Sequence, residues 1–384
     1  MVSVLTLRQL ASSPELLAAA VPGDLRVATE LRSKWLADLV AAATTQVELR
    51  ARASSRLRDA STMMLTPAGL EQATSSVVAA HRAARIARSA SDVLDLCCGI
   101  GSDLREIVAA GVHAVGVDRD ETHAWCARYN SGAPVVVADV RDMRLDGVSA
   151  VFVDPARRSG DRRGGSEPPL SWCQSLPVSQ VAVKAAPGLD LSSVADGWEV
   201  EFVADGRDLK EACLWSPAWA TAVRRATVLP EGVSLVADPS TPPAPVRAPG
   251  RYVVDPSPAV TRAGAVADLA ALLSAWQIDK KIAFLCTDEP TPTPYGRLLE
   301  VAASMPFNLK ALAAELRRLD IGAVDFRRRG LAGDVEDLRR RLKLTGTRQA
   351  VVLLTRGADK PWTLVCIGDP TTFRAAPNDK PTRR

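Results

Sequence analysis

The chain has 384 residues, 47% of them hydrophobic and 24% charged, with a formal net charge of +4 at pH 7. That length exceeds what a single core usually serves and predicts two or three domains, and the composition excludes a disordered or fibrous chain. No apolar run of about eighteen residues occurs, and Met1–Ala20 carries Glu15 inside its only apolar run with no basic head, so neither a membrane span nor a signal peptide is expected.

Residues 1–90 read as a helical region. Val4, Leu7 and Leu10, then Leu31, Trp35, Leu36 and Leu39, recur at three- and four-residue steps, and strand-type runs are absent. The spacing predicts a last helix over 67–88, with Thr66 as its N-cap before Pro67. It contains the patch Leu70-Glu71-Gln72-Ala73-Thr74-Ser75.

From Asp92 the pattern changes to short β-branched runs separated by helical stretches, which predicts a parallel sheet with crossover helices over 91–237. The runs are Val93–Leu96, Ala114–Val117, Val135–Ala138, Ala150–Val153, Val181–Val183 and Glu199–Val203, with a seventh strand between Ala226 and Val236. Ligands on such sheets bind beyond the carboxyl ends of the strands, so the residues that end each strand matter most. The first ends in Asp95-Leu96-Cys97-Cys98-Gly99-Ile100-Gly101, an acid followed by a two-glycine bend that lets backbone approach a ligand. The second ends in Asp118, placed to accept from ribose hydroxyls. The third ends in Asp139-Val140 and the fourth in Asp154-Pro155-Ala156-Arg157-Arg158. Arg162 and Arg163 extend the basic run among Gly160, Gly164 and Gly165, so the loop 157–163 is suited to gripping phosphates.

The fifth strand ends in Lys184, expected at the pocket rim, where it would touch substrate or neutralise the acids. Cys213 invites comparison with a nucleophile, but nothing near it in sequence lowers a thiol pKa, so it reads as a small buried hydrophobe. His113 and His123 read as structural. Seven cysteines stand at 97, 98, 126, 173, 213, 286 and 366 with no C-x-x-C pair, so no metal site is expected and a reducing, cytoplasmic compartment is.

Residues 238–250 are proline-rich and predict a stiff linker. Residues 251–384 form a C-terminal α+β region. Tyr252–Pro256 is expected as a strand and turn, Ala263–Trp276 as a helix and Phe284–Cys286 as a brief strand. Beyond them Leu298–Ala303 and Ile321–Arg328 are expected as strands, Leu309–Leu319 and Val335–Lys343 as helices, with a hairpin over 351–366. Residues 301–384 hold 17 Lys and Arg against 9 Asp and Glu, leaving the rest slightly acidic. Such a tail suits an anionic partner such as nucleic acid, although solvated helix faces produce the same runs.

The arrangement D-x-[GC]-x-G-x-G, carried by Asp95, Cys97, Gly99 and Gly101, resembles the first motif of class I S-adenosylmethionine (SAM)-dependent methyltransferases. The third glycine of the dinucleotide fingerprint falls on Leu104, which argues against a pyrophosphate cradle, whereas an acid suits a sulfonium ligand. Taken whole, the chain after about residue 65 resembles bacterial SAM-dependent methyltransferases with a C-terminal THUMP-like domain, here at about 295–370. Besides the glycine bend, the marks are Glu71–Ser75, Asp154–Arg158, Lys184 with Pro187 and Asp190, Glu211, Met305-Pro306-Phe307-Asn308, Arg327-Arg328-Arg329-Gly330 and Leu342-Lys343-Leu344.

The resemblance implies a Rossmann-like methyltransferase sheet with N-terminal helices and the cofactor S-adenosyl-L-methionine. Gln72, Asp95, Cys97, Gly99, Gly101 and Asp118 would hold it, with Asp139 on the adenine amine beside Val140. It implies RNA as substrate, because THUMP domains of related enzymes bind RNA, gripped by the loop 157–163 and the C-terminal region. Asp154, Pro155, Arg157, Arg158 and Lys184 are then the candidate catalytic residues. Nucleobase-amine methyltransferases carry [DNS]-P-P-[YFW] where this chain has Ala156 and Arg157, which puts amine methylation in doubt. A small-molecule methyltransferase and a non-catalytic SAM-binding module remain open at this point.

Overall fold

A computed structural model describes residues 3–157, 166–331, 335–357 and 360–368. The chain divides into two compact units, residues 1–232 and 233–384.

The first unit opens with helices α1 (Val4–Ala11), α2 (Pro14–Ala19), α3 (Leu25–Arg32) and α4 (Ala37–Ala53). Asp24 caps α3 by accepting from the N–H groups of Arg26 and Val27. The apolar stripes of α1 to α4 meet in a core that includes Leu10, Leu16, Leu31, Leu39 and Ala43. An extended strap, residues 63–66, then runs between two side-chain amides, one buried and one half-buried. Gln46 donates to the Leu65 carbonyl (2.5 Å) and accepts from its N–H (3.0 Å), and Asn130 does the same for Met64 at 3.0 and 2.8 Å. Each amide thus satisfies strap backbone that has no strand beside it.

The helix expected over 67–88 is two helices, α5 (Pro67–Gln72) and α6 (Ser76–Ile86). Thr66 caps α5 through the Gly69 N–H. Ala73 then turns extended, and the break hands Thr74 to a buried ionic partner instead of to a helix face.

Eight strands of one sheet follow in this unit: β1 (Asp92–Leu96), β2 (His113–Asp118), β3 (Val135–Val137), β4 (Ala150–Val153), β5 (Gln180–Ala185), β6 (Glu199–Asp205), β7 (Asp208–Trp215) and β8 (Arg224–Leu229). Helices α7 (Ser102–Ala109) and α8 (Glu121–Ser131) cross over between the first strands. The sheet order is β8-β6-β7-β5-β4-β1-β2-β3. All pairs are parallel except those of β7, which runs antiparallel to both β5 and β6. This is the mostly parallel α/β sheet that the alternation of runs predicts. Strand β4 is central and all four of its residues are buried, which explains its unbroken apolar run. His113 begins β2 instead of lying in the turn before it.

Strand β7 is an element the sequence reading passed over. Its first half, Asp208-Leu209-Lys210, is polar and looks like loop, yet a two-residue turn, Gly206-Arg207, folds it back on β6. The dipeptide Asp205-Gly206 between two apolar runs was the available signal.

In the second unit a seven-stranded sheet runs in the order Trp276–Gln277, Leu285–Thr287, Tyr252–Pro256, Gly296–Pro306, Lys360–Ile367, Arg348–Gly357, Ile321–Arg328. Helices Leu309–Arg318 and Val335–Leu342 bury Leu312, Leu316 and Leu342 against its last strands. The helix expected over 263–276 is shorter, Val266–Leu272, with Trp276 in a strand; an additional helix, Pro258–Ala263, precedes it and is closed by Gly264, which takes a left-handed φ of 78°. The proline-rich stretch is held by the same unit: Arg247 donates its N–H to the Gln277 carbonyl, and the Trp276 indole donates to Ala248. Among the described residues no helix is long and apolar enough to cross a membrane.

Candidate active site

The carboxyl ends of β1, β2, β4 and β5 open into a cavity of about 1030 Å³. Its walls include Gln72, Cys97, Gly99, Asp118, Asp139, Val140, Asp154, Pro155 and Lys184, all singled out from the sequence. Two others do not reach the wall. Asp95 is fully buried beneath it, and Gly101 serves packing: a Cβ there would come within 2.7 Å of the Ala127 backbone on α8. Arg157 is placed in its backbone, paired with Ser166 in a two-residue ladder. Arg158 and the remainder of the loop 157–163 lie outside the described residues.

The bend owes its shape to three left-handed residues, Cys97 (φ 62°), Gly99 (φ 54°) and Gly101 (φ 79°). At Gly99 an added Cβ would meet nothing within 4 Å, so the missing side chain is what keeps this face open. Cys97 bears the left-handed strain without being glycine, and burial raises its thiol pKa, which disfavours the thiolate. Asp118 is locked by accepting the Gly99 N–H at 2.8 Å and the Asp120 N–H at 2.9 Å, one on each oxygen. Each oxygen keeps a further lone pair for a ligand hydroxyl. Asp139 sits in the fork of Arg141, at 3.0 and 2.6 Å, and that fork holds its carboxyl well below the usual range.

Under the cavity lies a buried ionic cluster. Arg82, on α6, pairs with both Asp103 and Glu211 and is 2% exposed. Lys184 donates to Asp154 and to Thr74, each at 2.7 Å, and Thr74 donates in turn to Asp103 at 2.7 Å. Neither oxygen of Asp95 has a hydrogen-bond partner. Burial, with Asp103 and Asp154 nearby, pushes the Asp95 carboxyl well above its usual range. Burial raises Asp154 too, against the pull of Lys184. The attraction of Asp154 and Asp103 outweighs the burial of Lys184 and keeps its ammonium charged.

Arg82, Asp103 and Thr74 were not assigned roles from the sequence, because their pairings span 21 to 129 residues. His123 was read as structural; it bonds the Thr66 hydroxyl at 3.1 Å and also lines the cavity. Cys213 is 1% exposed on β7, with its thiol pKa raised by burial, so the reading as a small core residue holds.

A glycine bend at the first strand, locked acids at the next strands and a cavity at the sheet's carboxyl edge define a nucleoside-binding α/β domain. Residues 296–367 match the family described as "THUMP domain-like". Over 348 residues the chain is 36% identical to an uncharacterized S-adenosylmethionine-dependent methyltransferase of Mycobacterium tuberculosis, found in strains CDC 1551 / Oshkosh and ATCC 25618 / H37Rv, covering 85% of this chain and 93% of the relative. The fold is similar to that of a methyltransferase candidate crystallised from Porphyromonas gingivalis W83, with a TM-score of 0.74 over 96% of this chain and 98% of that one at 20% identity.

The chain belongs to the SAM-dependent methyltransferases that carry a C-terminal THUMP-like domain. Its site fits that cofactor: a side chain at Gly99 would fill the space beside the bend, and both oxygens of one buried acid, Asp95, are left without a partner beneath the cavity.

Proposed function

We propose that the protein transfers the methyl group of SAM to RNA, with the THUMP-like unit positioning the RNA. The observation that carries the transfer step is the Asp154–Lys184 pair in the wall of the same cavity as the glycine bend. RNA as substrate is supported by the THUMP-like match and by the surplus of positive charge in residues 301–384. Arg339, Arg340 and Arg341 pair with Glu336 and Asp337 of their own helix. Exposed pairs of that kind are worth about 0–1 kcal/mol, so they yield readily to phosphate.

In this reading Gly99 and Cys97 shape the bend around the cofactor. Asp118 accepts from the ribose hydroxyls, Val140 flanks the adenine and Asp139 faces its amine. Bound SAM supplies an electrophilic methyl group. Asp154 and Lys184 hold the acceptor in line with it, and most of the acceleration comes from that alignment. Pro155, in the cavity wall, borders the acceptor's path. Mass spectrometry of RNA nucleosides from cells with and without the protein tests the proposal. Loss of one modified nucleoside is expected. An unchanged set, from cells whose purified protein still takes up SAM, would reject RNA.

A further inference from the structure

We infer that the accepting atom is the 2′-oxygen of a ribose and not a nitrogen of a base, an assignment that rests on the RNA reading above. Enzymes that act on a base hold it between aromatic faces and read its edge. Among the described residues of the cavity wall the only aromatic ring is that of His123, on α8 after β2, two strands away from β4 and Asp154. Among its described residues the wall thus offers a flipped base no Phe, Tyr or Trp face, whereas a ribose needs none.

The polar groups at the acceptor end suit a hydroxyl. A hydroxyl is a weak nucleophile until its proton is drawn off, so it needs a base and a cation near its oxygen. Asp154 supplies the base: burial lifts its carboxyl, which makes it a stronger proton acceptor than a solvated carboxylate. Lys184 supplies the cation. Two of its three N–H donors go to Asp154 and Thr74, which leaves one for the acceptor oxygen. In the step the C–O bond forms as the C–S bond breaks, and the C–S electron pair returns to sulfur. The hydroxyl proton passes to Asp154. Thr74, fixed by Asp103, is a positioning residue that sets the reach of Lys184.

The test incubates the full chain with SAM labelled in its methyl group and RNA from cells lacking the protein. Expected is label in alkali-resistant dinucleotides and, after nuclease digestion, in a 2′-O-methylnucleoside. Label confined to base-methylated mononucleotides overturns this inference and leaves the RNA reading standing. Label absent from RNA, with SAM uptake intact, overturns the RNA reading and this assignment with it. For Thr74, Thr74→Val should lower kcat about tenfold, one hydrogen bond's worth, with SAM affinity and RNA KM nearly unchanged, and Thr74→Ser should restore it. A loss in KM alone, or no rescue by serine, removes Thr74 from the positioning role.

Discussion

Helix α6 carries two arginines one turn apart, and each enters a different buried cluster. Arg85 forks onto Glu199 at 2.7 and 2.8 Å, reaches Glu201 at 2.9 Å and lies 4.1 Å over the Trp215 ring. There the acids are saturated: Glu201 also accepts from Trp215 and Thr227 and bonds His81, while Glu199 accepts from Arg225 and the N–H groups of Thr221 and Ala222. Arg82 instead serves a cluster in which Asp95 has no partner, four acids crowd together and one lysine donor is spare. A saturated cluster fixes one arrangement; an unsaturated one beside a cavity is suited to a ligand. The difference separates scaffold from site within a single helix.

The largest expected effect falls on the unsaturated side. Asp154→Asn should cost about 10²- to 10⁴-fold in methyl transfer, while SAM affinity by calorimetry stays within a few-fold. Undiminished transfer would remove Asp154 from the reaction. On the saturated side, Arg85→Met takes one cation from two buried carboxylates that keep their other partners, and should cost about 1–3 kcal/mol in urea unfolding, with SAM affinity of the folded fraction unchanged. Equal losses of affinity and stability would erase the contrast.

Acid and base titrations of stability should run in opposite senses. Glu201 is held at about 2 against a usual 4.5, so its contribution is present above pH 4.5 and is lost as pH falls through about 2. That amounts to about 3 kcal/mol, and Glu201→Gln should flatten the acid limb. Asp95 is raised, so its favourable share is present at low pH and is lost as pH rises through its folded value. Asp95→Asn should therefore be more stable than the parent chain at pH 8 without ligand, read as a higher urea midpoint. The smallest effect belongs to Cys97→Gly. Relief of the left-handed backbone, about 1 kcal/mol, is offset by the greater freedom of glycine in the unfolded chain. Stability and SAM affinity should both stay close to the parent's, and a tenfold fall in affinity would give the thiol a direct contact.

The acids that end the strands were legible because parallel sheets concentrate binding chemistry there, so Asp118, Asp139 and Asp154 could be found by position alone. Asp95 was legible as an acid but not as a buried one, since depth depends on what α6 and α7 lay over it. The lower half of the site was not readable. Arg82 looks like any polar residue of a helix, and its partners lie on α7 and on β7, the strand that went unseen. Thr74 sat inside a run that spacing alone continues as helix, and only the tertiary demand of Asp103 and Lys184 ends it.

The strap at 63–66 has a consequence for how the enzyme responds to its surroundings. Two of its anchors, Gln46 and Asn130, are neutral amides, while Arg50 donates to the Met63 carbonyl and His123 bonds the Thr66 hydroxyl. Helix α5, which brings Gln72 to the cavity, hangs from this mooring. Changes of ionic strength will therefore leave the two amide tethers intact, and any such response in binding reports on charged groups elsewhere around the cavity.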